Sequence, residues 1–255
     1  MKKNKKKNLG QKTLSGMLLA TTVFGNVISH GEEREYIKLT VENEESKPVE
    51  VIAPATPDIV VRPGEYDGKP GKRVYVNPNT IDIPADIPVK LDQNGYYIQE
   101  FDINFKLSKA IVQKLEAKGV KVKFQVAESK YQDLNAAGRA ARATGAKMYL
   151  SVHHNSFKED SQGYFFMTNE KNVKDAKYAQ RMSDAIKGGS VKQYKNRVND
   201  GYIGEMNETG GMINILGEFG YFSNIEELQK IISDEQVEYV STQLAEEIYE
   251  ILMLN

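Results

Sequence analysis

Three segments of the sequence carry side chains that could bind a metal ion or transfer a proton. His153 and His154 end an apolar run in Ser151-Val-His-His-Asn155, Glu218 lies between apolar residues, and Glu100 precedes an amphipathic stretch. Imidazole and carboxylate groups bind zinc and also serve as general acids and bases in enzymes. The sequence therefore predicts metal binding or acid–base chemistry at these positions.

Each of these residues also has a purely structural explanation. Glu100 could be an acid favoured by the dipole at a helix N-terminus, and the two histidines could be hydrogen-bonded surface residues. Glu218 is harder to explain in this way, because buried acids are uncommon unless they are paired or functional. Since adjacent strand residues point to opposite faces, we expect only one of His153 and His154 to reach a shared metal ion.

Candidate metal ligands are scarce in this chain. Among 255 residues there is no cysteine, and the only histidines are His30, His153 and His154. Any metal site must therefore use His, Asp, Glu or weaker ligands. The 34 basic and 35 acidic residues almost cancel, so nothing indicates a nucleic-acid-binding surface.

Alternating strands and helices surround the candidate residues. The pattern predicts strands at Arg73–Val76, Val120–Phe124, Met148–Val152, Gly163–Met167 and Met212–Leu216, and helices at Phe101–Lys118, Leu134–Thr144 and Val173–Ile186, with two more helices closing the chain. This order predicts an α/β fold of three layers, with a mostly parallel sheet covered by helices on both faces. Sites in such sheets form where strands end in loops, which here means after Val76, Val152 and Leu216.

The N-terminal part is predicted to be separate from this domain. Residues 1–29 have the layout of a signal peptide, with lysines up to Lys12, an apolar stretch and then small residues. A retained membrane anchor is the alternative, and both predict a secreted protein or one on the extracellular face of the wall or membrane. Residues 30–71 contain five prolines, which block helices and central strands. We expect a mostly extended linker there, with candidate edge strands at Tyr36–Val41 and Val49–Ile52.

The motifs of the remaining region, residues 72–255, occur in one order. Glu100-x-Asp-x-Asn104 opens a helix, Ser151-x-His-x-Asn155 ends a strand, and Glu218-Phe-Gly-Tyr-Phe-Ser-Asn224 follows a later strand. This combination resembles the zinc-dependent N-acetylmuramoyl-L-alanine amidases of the cell-wall hydrolase type.

The resemblance implies a substrate and a role for each candidate residue. Glu100 and His153 correspond to zinc ligands and Glu218 to the catalytic acid/base. A hydrolytic zinc site has three protein ligands and an open position for water, and Glu218 would pass the proton of that water to the leaving amine. The implied substrate is peptidoglycan, cleaved at the amide between N-acetylmuramic acid and L-alanine of the stem peptide.

The sequence departs from the family pattern at the first zinc ligand. The family has a histidine just after the first strand, whereas the strand predicted at Arg73–Val76 is followed by no histidine. Thr80, Asp82 and His154 are the candidates for the third ligand. Two functions follow from this departure. One is an active zinc amidase, and the other is a non-catalytic relative that binds the cell wall or regulates a wall hydrolase.

Overall fold

The computed structural model describes residues 20–29, 32–43, 46–65, 72–126, 133–169, 173–187, 189–194 and 204–255. They divide into two compact units, and the division follows Ala55. In the first unit, β1 (Ala20–Ser29), β2 (Glu32–Asn43) and β3 (Ser46–Pro54) form an antiparallel sheet with β2 in the centre. The two candidate edge strands of the linker lie within β2 and β3, but only β3 is at an edge of this sheet. The first 19 residues of the predicted signal peptide lie outside the described residues, so the signal peptide stays a prediction.

A six-stranded sheet forms the centre of the second unit. Its strands are β4 (Ile59–Pro63), β8 (Val122–Phe124), β9 (Met148–Asn155), β10 (Tyr164–Asn169), β11 (Gly189–Tyr194) and β12 (Ile213–Tyr221). Their order across the sheet is β11-β10-β12-β9-β4-β8. Only the β10–β12 pairing among these described strands is antiparallel, so the predicted mostly parallel sheet is confirmed.

Helices cover both faces of this sheet, as predicted. They are α1 (Glu100–Ala117), α2 (Leu134–Ala143), α3 (Val173–Ala185), α4 (Gly204–Asn207), α5 (Ile225–Ile232) and α6 (Asp234–Met253). Leu150 of β9 belongs to the same apolar cluster as residues of α1, α3 and α6, whereas its neighbour Tyr149 packs with Ala141 of α2 on the other face. Among the described residues, no helix is both long enough and apolar enough to span a lipid bilayer.

The first strand of the main sheet is β4 and not the predicted Arg73–Val76. Residues 59–61 are completely buried, and β4 pairs with both β8 and β9. The second unit consequently begins at Thr56, within the segment predicted to be a linker, and not at Lys72. The prolines of this segment do not interrupt the strand, because Pro63 is its last residue.

A small antiparallel sheet occupies the segment that precedes α1. It consists of β5 (Arg73–Tyr75), β6 (Lys90–Asp92) and the central strand β7 (Gly95–Gln99). Ile98 of β7 is buried with Phe222 and Leu228, which fixes the sheet to the region around α5. Since α1 follows β7 directly, this sheet sets the position of Glu100, whose backbone N–H donates to the carbonyl of Lys72 (2.9 Å).

Candidate metal centre and active site

Two of the predicted site residues are neighbours at the end of the main sheet. His153 lies near the end of β9, and its Nδ1 is 3.2 Å from Oε1 of Glu100, the first residue of α1. Glu65, which follows β4, completes a cluster in which one ligand atom of each residue lies within 4.8 Å of the others. Two carboxylates and one imidazole match the three nitrogen and oxygen ligands that hydrolytic zinc sites use.

The backbone of Glu65 has an unusual conformation. Its φ is 62°, in the left-handed region that few residues other than glycine adopt. Such a conformation costs about 1–3 kcal/mol and is found most often at functional sites. The observed strain therefore supports a functional role for Glu65, which the sequence analysis did not identify.

Gly64 lets the turn after β4 approach His153 closely. A Cβ atom at position 64 would lie only 2.2–2.3 Å from the imidazole ring of His153. Asn104 of α1 donates from Nδ2 to the carbonyl of Gly64 (3.0 Å) and to Oε1 of Glu100 (3.3 Å). The segments that carry the three candidate ligands are thus held together by a close packing contact and by one amide side chain.

His154 points to the opposite side of the sheet from His153. It is 1% exposed, and its Nδ1 lies 2.8 Å from Oδ1 of Asn104. Burial, together with the charge of His153, lowers the pKa of His154 to about 3, so this imidazole is neutral. His154 therefore supports Asn104 from within the core, as the alternation of side chains along a strand implies.

The other two candidates for the third ligand lie on an exposed segment. Thr80 and Asp82 are both exposed in the connection between β5 and β6, and the hydroxyl of Thr80 donates to the carbonyl of Asn77 (3.0 Å). Among the described residues, the cluster that could hold a metal ion contains neither of them and does not contain His154. Glu65 takes the place of these three candidates in the cluster, and the difference follows from placing the first strand too late in the sequence.

Glu218 lies beside His153 on the neighbouring strand. The two residues are paired in the parallel register of β12 and β9, and Glu218 is 4% exposed. Burial raises the pKa of Glu218 to about 7, the charge of His153 opposes this shift, and the charge of Glu100 adds to it. Within the described part of the chain, Oε2 of Glu218 and Oε2 of Glu100 are buried without a hydrogen-bond partner. Buried acceptors of this kind are rare, and a metal ion with its water would satisfy them.

The charges of the cluster favour a proton on His153. Burial alone would lower the pKa of His153, but its hydrogen bonds to Glu100 and Glu205 raise it to about 10. Burial and the charge of Glu100 raise the pKa of Glu65. Negative charge is therefore gathered at this site, and a bound cation would stabilise it.

A buried ion pair that the sequence analysis missed lies behind His153. Nη1 of Arg62 is 2.5 Å from Oε2 of Glu205, and both side chains are almost fully buried. Although burial would raise it, Arg62 and His153 lower the pKa of Glu205 to about 2. The apolar run at 59–61 followed by Pro63-Gly64 was a signal for β4 and the turn that carries Glu65. No comparable signal marks Glu205, which lies on a four-residue helix.

Fold and site together define a class of protein. An α/β sheet whose strand ends carry a His and carboxylate cluster beside a buried acid is typical of metal-dependent hydrolases. A family model described as N-acetylmuramoyl-L-alanine amidase matches residues 88–250, more than half of the chain. The chain belongs to this family of peptidoglycan hydrolases, which cleave the amide between N-acetylmuramic acid and L-alanine. The family and substrate implied by the sequence motifs are confirmed.

Solved structures of amidases share this fold. An N-acetylmuramoyl-L-alanine amidase from Clostridium difficile 630 is 19% identical with a TM-score of 0.55, and the match covers 76% of this chain and 96% of that one. The CwlD amidase from Clostridioides difficile, solved in complex with the GerS lipoprotein, is 14% identical with a TM-score of 0.59 and coverages of 78% and 100%. AmiC2 of Nostoc punctiforme is 20% identical, with a TM-score of 0.55 and coverages of 76% and 96%. No curated protein sequence matches the chain.

Proposed function

We propose that this chain is a zinc-dependent amidase in which Glu65, Glu100 and His153 hold the metal and Glu218 is the catalytic acid/base. The observation that carries the proposal is the cluster of three ligand atoms within 4.8 Å of one another. The buried oxygens of Glu100 and Glu218 that lack a hydrogen-bond partner among the described residues also support the proposal, because a metal ion and its water would satisfy them. When bound, zinc would lower the pKa of a water molecule and polarise the carbonyl of the scissile amide.

Glu218 is suited to move the proton that the reaction requires. Hydrolysis adds the oxygen of water to the lactyl carbonyl carbon and breaks the bond from that carbon to the nitrogen of L-alanine. A carboxylate with a pKa of about 7 can accept the proton of the attacking water at neutral pH and return it to the leaving nitrogen. The products are a carboxylic acid on the sugar and a free amine on the peptide.

The ligand set also explains how the site binds a metal without the family's first histidine. A carboxylate is an adequate zinc ligand, whereas the hydroxyl of a threonine is a poor one beside imidazole or carboxylate. Because carboxylate oxygen also suits manganese, both ions belong in the binding measurements. Glu65 lies in the turn just after the first strand, which is the position where the sequence resemblance requires a ligand.

The proposal is tested by metal analysis combined with release of peptides from purified peptidoglycan. We expect zinc in the wild-type protein and new amino termini of L-alanine in the digest. Glu218→Gln should keep the zinc and lose about 10²–10⁴-fold in activity, whereas His153→Ala should lose both. Glu250→Gln, which changes an exposed acid of α6, is the matched control and should change neither.

The same measurements separate the amidase from a non-catalytic relative. A wild-type protein that binds no zinc and releases no peptide, with Glu218→Gln behaving identically, would contradict the enzyme. A protein that sediments with intact peptidoglycan under those conditions would then be a wall-binding or regulatory member of the family.

We also propose that the protein is exported and acts on the wall from outside the cytoplasm. The basis is the signal-peptide layout of residues 1–29 and the location of peptidoglycan outside the cell membrane. Mass spectrometry of the secreted protein should find an N-terminus close to His30. An intact Met1 in a cytoplasmic fraction would contradict export.

A further inference from the structure

The carboxylate of Glu205 is held on all sides by donors from two strands of the main sheet. Oε1 accepts from the hydroxyl of Ser151 (2.6 Å), and Oε2 accepts from the hydroxyl of Tyr149 (3.1 Å) and from Arg62 (2.5 Å). The remaining neighbour is Nε2 of His153, 3.4 Å from Oε1. Glu205 is 1% exposed, so water does not compete for these contacts.

The regular alternation of β9 creates this arrangement. Tyr149, Ser151 and His153 are every second residue of β9 and therefore lie on one face. Glu205, on α4, places its carboxylate against all three. Arg62, on the adjacent strand β4, fixes the carboxylate from the side. Glu205 thus has a fixed position, and its carboxylate cannot turn toward Glu65 and Glu100 without leaving these donors.

The two ring nitrogens of His153 face different carboxylates. Nδ1 faces Glu100 on the side of the proposed metal ligands, and Nε2 faces Glu205. An ionised carboxylate only accepts hydrogen bonds, so the contact with Glu205 requires a hydrogen on Nε2. When Nε2 carries the hydrogen, Nδ1 of a neutral imidazole has its lone pair free for a metal ion. Ligating histidines commonly donate their other N–H to a carboxylate, which fixes the tautomer and the ring orientation.

We propose that Glu205 is a positioning residue for metal binding, which directs Nδ1 of His153 toward the site shared with Glu65 and Glu100. This inference rests on the proposed function, because it assigns a role toward the metal ion of that site. It goes beyond the ligand set, since Glu205 is not one of the three proposed ligands. Its loss should weaken zinc binding about 10–100-fold.

The test compares two variants that each change one hydrogen bond at position 205. One of them changes the contact with His153, and the other leaves that contact intact. In Glu205→Gln, the carbonyl of the amide remains for Arg62, and its NH₂ group faces His153 as a donor, which disfavours a hydrogen on Nε2. Tyr149→Phe removes one hydrogen bond from the other oxygen of Glu205 and is the matched control. Zinc affinity is measured by calorimetry with zinc chloride on the full chain, and the protonation of His153 by ¹⁵N NMR of the imidazole.

We expect the wild-type protein with zinc to show a proton on Nε2 and zinc on Nδ1. Glu205→Gln should lose about 10–100-fold in zinc affinity and lose the Nε2 proton signal, whereas Tyr149→Phe should stay within about threefold and keep it. Because an unpaired buried Arg62 is strongly destabilising, the double variant Arg62→Met, Glu205→Gln is included to preserve folding. It should show the same loss of affinity and signal.

Two outcomes would overturn the inference, and they are distinguishable from each other. If the single and double variants that carry Glu205→Gln bind zinc as tightly as the wild-type protein and keep the Nε2 proton, Glu205 is only the partner of Arg62 and the amidase proposal is untouched. If the wild-type protein binds no zinc, the zinc site itself is wrong and the role of Glu205 falls with it.

Discussion

Replacing Glu65 with asparagine separates the metal-binding role of this residue from its role in the fold. Asparagine tolerates the left-handed conformation better than most residues, but its shorter neutral side chain removes the carboxylate. The φ of 62° at the wild-type residue costs about 1–3 kcal/mol. Burial and the charge of Glu100 also raise the pKa of the Glu65 carboxyl group, so the ionised side chain is unfavourable there without a cation. We therefore expect the metal-free variant to be as stable as the wild-type protein, or more stable by about 1 kcal/mol.

The metal should reverse this order of stability. A ligand at about one hundred times its Kd stabilises the folded state by about 2.7 kcal/mol. If the loss of one of three ligands weakens zinc binding about one hundredfold, the same zinc concentration stabilises the variant by only about 0.4 kcal/mol. The difference of about 2 kcal/mol exceeds the gain of about 1 kcal/mol expected for the metal-free variant, so zinc should make the wild-type protein the more stable of the two.

Urea unfolding with zinc and with a chelator measures both quantities. Thr80→Ala is the control, because Thr80 is exposed and its hydroxyl bonds only to the nearby carbonyl of Asn77 in the described structure. The zinc-dependent stabilisation should survive in Thr80→Ala and be lost in Glu65→Asn. The reasoning is refuted if Glu65→Asn keeps the full stabilisation by zinc, or if Thr80→Ala loses it.

Three further predictions concern the same site. Gly64→Ala should weaken zinc binding by at least about tenfold, because its Cβ would lie 2.2–2.3 Å from the His153 ring. Gly211→Ala is the control, because a Cβ there meets open space, and it should leave zinc binding unchanged. Equal zinc affinities of the two variants by calorimetry would contradict this. Since the pKa of His153 is about 10 without metal and zinc needs the neutral ring, the Kd for zinc should fall about tenfold per pH unit from about pH 7 to 9; a constant Kd would count against His153 as a ligand. Glu218 must be ionised to accept a proton, so kcat/KM should rise with pH until this carboxyl group is ionised. The pKa of Glu218 is about 7 without metal and a bound cation lowers it, so the rise should end at or below about pH 7. A profile without this rise, or a rise that persists in Glu218→Gln, would argue against Glu218 as the base.

The sequence was most informative where a local pattern determines the structure. The helix predicted at Phe101–Lys118 is α1, and its residues Ile103, Leu107, Ile111 and Leu115, spaced by four, are all buried. The alternation rule also predicted that His153 and His154 point to opposite faces. These features depend on residues close in sequence, so periodicity is enough to find them.

The missing strand and the missing ligand have one physical cause. The apolar run of β4 at 59–61 is short and lies among prolines, and its stability comes from pairing with β8 and β9, which are distant in sequence. No local pattern shows such pairing. Placing the first strand at Arg73–Val76 then moved the expected ligand from Glu65 to Thr80, on an exposed connection. The contact between Glu205 and His153 could not be predicted from a local pattern either, because 52 positions separate the two residues in the sequence.

In the proposed zinc site, the exchange of a family histidine for Glu65 would change the charge around the metal ion and hence the demands on Glu218. With Glu65 and Glu100 ionised and His153 neutral, the proposed ligands carry two negative charges, which balance those of a divalent cation. A cation neutralised in this way polarises a bound water less than one held by two histidines and one carboxylate. More of the proton transfer then depends on the acid/base itself. The burial of Glu218, which raises its pKa to about 7 without metal, opposes the lowering of that pKa by a bound cation and makes Glu218 a stronger base than an exposed carboxylate at the same place.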